Sequence, residues 1–200
     1  MDISIDIFSA VQIVSTICLF LYVILMTRQN VWCWIFGILS SAFYIISCIH
    51  TKLYLEGILN FYYVIVGFYG WYLWLHKNKD GETKTLQIGE WRAFAHIANI
   101  FVCAALTFLL GRMEQKYTTS PRPFFDAAMT VFSFSATILE ARKILSAWIY
   151  WFVIDGAGIA LMIDRDMKIY ALQNAVLTAL CVKGYLDWRK NRADANAPMQ

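Results

Sequence analysis

The sequence predicts an all-α polytopic membrane protein of seven transmembrane helices, arranged as 3+1+3 parallel repeats, and three observations predict it. The composition is too apolar for water: 60% of 200 residues are apolar, only 16% are charged, and the mean hydropathy is +0.53. Soluble domains run nearer ~45–50% apolar and ~25% charged. A chain of this length has too little interior to hide that surface, so lipid must solvate part of it. Uncharged runs long enough to cross a bilayer as helix recur along the chain. Finally, the chain repeats itself at a fixed offset.

Four runs hold no Asp, Glu, Lys or Arg: Ile7 to Thr27, Gln29 to Thr51, Gly57 to His76 and Ala93 to Gly111. Three more blocks are apolar but interrupted: Pro123 to Leu139, Ile144 to Ile163 around Asp155, and Ile169 to Trp188 around Lys183 and Asp187. The repeat makes these three helices as well. A shift of 114 positions carries Trp34, Asn60, Gly70 and Trp74 onto Trp148, Asn174, Gly184 and Trp188, so each half holds Trp-x25-Asn-x9-Gly-x3-Trp. The same register pairs Thr16 with Thr130, Phe20 with Phe134 and Arg28 with Arg142, and gives twelve identities over residues 12 to 78. Helices 1, 2 and 3 thus match 5, 6 and 7, with the fourth as an unpaired connector. A single connector turns the chain back across the membrane, so the triplets run parallel. The organisation expected is one transmembrane domain over 1–188, with repeat one at about 7–76, the connector at about 91–111 and repeat two at about 121–188, then a short cytoplasmic tail over 189–200.

Loop charges set the orientation, because cytoplasmic loops are enriched in Lys and Arg. Six such residues fall on the side of the N-terminus and ten on the other, among them Arg28, Lys77, Arg92, Arg142, Lys143 and Arg189. The N-terminus is expected outside and the C-terminus in the cytoplasm. Met1 to Asp6 lack the positive stretch of a cleavable signal, so helix 1 is expected to stay in the mature protein. The polar segment His76 to Glu90, with Gly81 and Gly89, is the expected flexible loop, and 189–200 the expected disordered tail.

Asp155, halfway along the sixth helix, costs at least ~2.5 kcal/mol to insert, so something must offset it. Trp148, Trp151 and Asp155 stand at i, i+3, i+7, which sets two indoles and a carboxylate on one stripe. That combination suits a flat organic cation through stacking, cation–π attraction and ion pairing. The alternative is an interfacial tryptophan belt with Asp155 bonding a neighbouring helix. Asn60 and Asn174 hold equivalent places in helices 3 and 7, with Glu56 and Gln173 near them. Either they bond hydroxyls or an amide of a ligand, or they tie helices together. Trp34, the counterpart of Trp148, joins the candidate substrate-binding set of Trp148, Trp151, Asp155, Asn60, Asn174 and Gln173. Gly156 and Gly158 permit close helix approach or unwinding. Lys183 snorkels, and His96 has no ligand-spaced partner, which makes it a packed or interfacial histidine.

The remaining chemistry is exclusion. A net charge of +3 with dispersed basic residues gives no nucleic-acid partner. The cysteines at 18, 33, 48, 103 and 181 are isolated in apolar sequence and read as helix-packing thiols. No GxxxxGK[ST], HExxH or GxSxG occurs, and no Cys/His constellation. No metal, cofactor or enzyme activity is expected, which leaves a small solute carrier first and a non-transporting membrane scaffold second.

The sequence resembles the PnuC-type vitamin transporters over nearly its whole length. The resemblance rests on Trp32-Cys-Trp34-Ile-Phe-Gly37, Tyr69-Gly70-Trp71-Tyr72-Leu73-Trp74, Asp126-Ala127, Ala141-Arg142-Lys143, Trp148-Ile-Tyr-Trp151-Phe-Val-Ile-Asp155 and Gly184-Tyr-Leu-Asp-Trp188. It implies a 3+1+3 core similar to the SWEET sugar transporters, a homotrimer, and an inner (plasma) membrane location. It also implies facilitated diffusion of a vitamin that a cytoplasmic kinase then traps by phosphorylation. The acid beside two indoles disfavours neutral riboflavin and keeps nicotinamide riboside and thiamine, both cationic. Asp155 stands where members resembling pyridine-nucleoside carriers tend to have asparagine, and this departure raises thiamine. Nicotinamide riboside stays first as the commoner assignment in the family.

Overall fold

The computed structural model describes residues 3–51, 54–75, 86–118 and 120–195. Among the described residues, seven helices form where the sequence places them: α1 (Ile3–Thr27), α2 (Cys33–Thr51), α3 (Tyr54–Leu75), α4 (Ala93–Tyr117), α5 (Pro123–Ala141), α6 (Ala147–Asp164) and α7 (Lys168–Ala195). Five helices among the described residues are long and apolar enough to span a membrane: α1, α3, α4, α5 and α6. The apolar part of α2, Cys33–Ile49, is shorter. α7 mixes Lys183, Asp187 and a basic end into its apolar face.

The chain divides into two compact units, one of Met1–Gln87 with Asp187–Gln200, the other of Ile88–Leu186. In the first, α1 packs on α2 and α2 on α3; in the second, α4 packs on α5 and α5 on α6. Small-residue positions let the helices close. The ring of Trp34 lies flat on Gly70, where an added Cβ would sit 2.4 Å from the indole. Trp148 lies on Gly184 in the second unit in the same way, at 2.6 Å. The two residue pairs are related by the sequence offset. Trp34 also meets Trp74 edge-on at 5.6 Å, and Trp188 donates its indole N–H to the Met26 carbonyl at 3.0 Å.

The helix ends repeat too. α1 closes with Gln29 N–H on Met26 O and Asn30 N–H on Leu25 O; α5 closes with Lys143 N–H on Glu140 O and Ile144 N–H on Leu139 O. This 5→2 and 6→1 pair is a Schellman motif, which needs a left-handed residue just past the helix. Gln29 (φ 55°) and Lys143 (φ 52°) supply it. Asp166 (φ 55°) does the same after α6, where Met167 N–H reaches Met162 O.

α4 differs from the others. Of its 25 residues only Cys103 and Gly111 are buried, and Phe94, Phe101 and Phe108 stand exposed, a surface suited to lipid rather than water.

Three expectations need correction. The segment 189–195 is helix rather than disordered, because α7 runs on to Ala195. The flexible-loop expectation over 76–90 falls partly on 76–85, outside the described residues. Gly89, however, is pinned, since its N–H bonds Lys143 O and its carbonyl accepts from Leu145 N–H. Of the two glycines past Asp155, Gly156 has open space where a Cβ would go, and only Gly158 has a close neighbour. His96 is packed as expected, between Trp91 and Tyr150, with Nδ1 3.2 Å from the tyrosine hydroxyl. The five cysteines are free and buried.

Candidate functional site

The buried face of α6 is the stripe the spacing anticipated. Trp148, Ile154, Asp155, Gly158 and Leu161 are buried, while Ile149, Phe152, Val153 and Ile163 point outward. The helix therefore turns its mid-helix carboxylate inward and gives Ile149, Phe152 and Val153 to the surroundings. Asp155 retains 8% exposure. Its Oδ2 accepts from the Cys181 thiol of α7 at 3.6 Å, a weak bond that leaves carboxylate capacity for a cation.

Trp151, one turn before Asp155, is half-buried, and its indole N–H donates to Glu140 Oε2 at 3.2 Å. Glu140 is itself only 3% exposed. One unit thus assembles two buried acids, an indole and a thiol from α5, α6 and α7.

Asn174 lies one turn further along the same seam. Its side chain faces Gly158, at 3.0 Å from where a Cβ would stand, and its carbonyl accepts from Thr178 Oγ1 at 2.8 Å. Gln173 beside it is half-buried. Trp148, with 2% exposure and its ring over Gly184, serves helix packing. Trp34 does the same in the first unit over Gly70. Asn60, half-buried in α3, belongs to that first unit.

Sequence reasoning missed Glu140. It sits next to Arg142 and Lys143 and reads as one more charge of a loop. The signal was the helical register: Ser133, Thr137 and Glu140 stand at i, i+4, i+7 and form a buried polar stripe on α5. The far end of the same unit is held by surface ion pairs. Arg165 places Nη2 at 2.8 Å from both Asp126 oxygens, Ser120 donates to Asp126 at 2.6 Å, and Arg122 meets Asp164 at 2.7 Å. Asp126 is therefore a clamp between α5 and the end of α6.

Comparison with known proteins agrees with this architecture. A family model described as nicotinamide mononucleotide transporter matches residues 9–190. The nicotinamide riboside transporter PnuC of Escherichia coli (strain K12) is 23% identical, over 90% of this chain and 85% of that protein, and the PnuC of Shigella flexneri matches to the same extent. A solved structure, described as the crystal structure of the vitamin B3 transporter PnuC, superposes with a TM-score of 0.75 at 22% identity, covering 93% of this chain and 83% of that one. The structural likeness shows the fold.

Proposed function

The chain belongs to the nicotinamide mononucleotide transporter family, a family of membrane transporters and not of enzymes, and from that premise we propose that it carries a small cationic aromatic vitamin by facilitated diffusion. Nicotinamide riboside is the first substrate. The observation that carries this reading is the Asp155 carboxylate, buried at mid-helix one turn from Trp151. A buried acid is costly, and a passing cation on an aromatic face offsets that cost with attraction in a low dielectric.

The substrate site takes Trp151 as the stacking plane, Asp155 as the counter-charge, and Asn174 with Gln173 as hydrogen-bonding groups one or two turns further along. Trp148 walls it, and Asn60 and Trp34 are the first repeat's counterparts. Thiamine is the second reading, favoured by a carboxylate rather than an amide at position 155. The protein lies in the inner membrane as a homotrimer, N-terminus outside and C-terminus inside, and a cytoplasmic kinase traps the vitamin.

Uptake into vesicles that contain no kinase tests the proposal. Labelled nicotinamide riboside or thiamine should enter saturably and stop at the outside concentration. Asp155→Asn should raise KM for the substrate about tenfold or more. Accumulation above the outside level would contradict facilitated diffusion, and unaltered uptake of both vitamins in the variant would remove Asp155 from the site.

A further inference from the structure

Glu140 is the least expected group in the second unit. A carboxylate at 3% exposure inside an apolar bundle is expensive, and helix closure does not require it. The Schellman turn at the end of α5 uses the backbone carbonyl of Glu140, and repeat one builds the same turn with the carbonyl of Met26 at the equivalent position. The side chain therefore has another use.

One partner of that side chain is the indole of α6. Glu140 Oε2 accepts the indole N–H of Trp151 at 3.2 Å. In repeat one the position matching Trp151 is Gly37, filled by the ring of Tyr22, whose Cδ2 would lie 2.9 Å from an added Cβ. The acid and the indole occur together in one repeat and are both missing from the other. Trp151 is also one turn from Asp155 on the same face of α6, so the plane of its ring decides whether a cation paired with that carboxylate also lies on an aromatic face. An indole swings about two side-chain torsions unless its rim is held, and a charged acceptor at Nε1 holds it.

We propose that Glu140 is a positioning residue of the substrate site, which fixes the Trp151 ring through its N–H so that a flat cation stacks there while paired with Asp155. This rests on the cation-site reading above and specifies how that site selects its substrate. Glu140 acts through Trp151 and does not itself meet the substrate.

A double-mutant cycle on the full chain in vesicles, read as KM for labelled thiamine and for labelled nicotinamide riboside, tests it. Glu140→Met installs the residue that repeat one carries in the same turn. It should raise KM about tenfold with Trp151 present and less than about twofold in the Trp151→Phe background, where no N–H remains to hold. Trp151→Phe alone should reproduce the rise. Glu140→Gln keeps an acceptor oxygen and should stay within about threefold of wild type. Equal KM rises on Glu140→Met in both backgrounds would overturn the proposal. So would a Gln variant as impaired as Trp151→Phe, and that comparison decides the matter if the methionine variant does not insert. Asp155→Asn in the same assay separates the two failures. If it leaves KM unchanged, the cation site itself is wrong; if it raises KM while the cycle is additive, only the role of Glu140 is wrong.

Discussion

Residues 25–36 and 139–150 close one helix and open the next with the same backbone bonds, down to the left-handed residue at Gln29 and Lys143. Both repeats then lay a tryptophan on a glycine, Trp34 on Gly70 and Trp148 on Gly184. Between these shared fixtures the side chains part company. Met26 stands against Glu140, Gly37 against Trp151, Ser41 against Asp155 and Gly67 against Cys181. On the proposed reading, the shared residues serve the bundle and the differing ones serve the solute. Packing is a requirement of each triplet and is paid twice, whereas the acid, the indole and the thiol appear only in repeat two.

The sharpest way to break that comparison is to carry repeat one's residue into repeat two. Asp155→Ser, which copies Ser41, should lower cation uptake about a hundredfold while leaving the melting temperature in detergent within a few degrees, since the acid serves the ligand and not the bundle. Vesicle uptake and thermal unfolding read the two effects separately. A variant that melts much earlier would place Asp155 among the packing residues.

Next come the glycines. Gly70→Ala and Gly184→Ala each force a methyl into a buried indole, and both should destabilise by about 1–3 kcal/mol, visible in denaturant unfolding. The two losses should be alike; a tolerated alanine at one of them would show that the shared fixture is not equivalent in the two triplets. Trp188→Phe removes the donor to the Met26 carbonyl and should cost about 1 kcal/mol. The smallest effect has the opposite sign. Asp166 holds a left-handed conformation at an exposed turn, so Asp166→Gly should stabilise by about 0.5–1 kcal/mol, seen as a higher melting temperature.

The helices were legible because bilayer-length apolar runs need little else, and the three interrupted ones became legible through the offset that pairs Trp34 with Trp148. The inward stripe of α6 followed from spacing alone, since 3.6 residues per turn places Trp148 and Asp155 on one side. Glu140 was hidden by its neighbours: beside Arg142 and Lys143, a charge at a helix end looks solvated, and only the buried stripe it shares with Ser133 and Thr137 reveals otherwise. Its bond to Trp151 spans two helices, and no sequence separation encodes which acceptor an indole will find. The end of α7 was misread for a related reason, because the polar composition after Trp188 resembles a tail while still allowing helix as far as Ala195.

Charge recognition is the centre of the account, and a pair of ligands of nearly the same shape tests it directly. Nicotinamide riboside carries a cationic ring; its reduced dihydro form does not. Calorimetric titration of both into purified wild-type protein and the Asp155→Asn variant should show wild type binding the cation at least about tenfold more tightly than the reduced form, with that preference lost in the variant. Equal affinity of the wild-type protein for the charged and uncharged forms would contradict it.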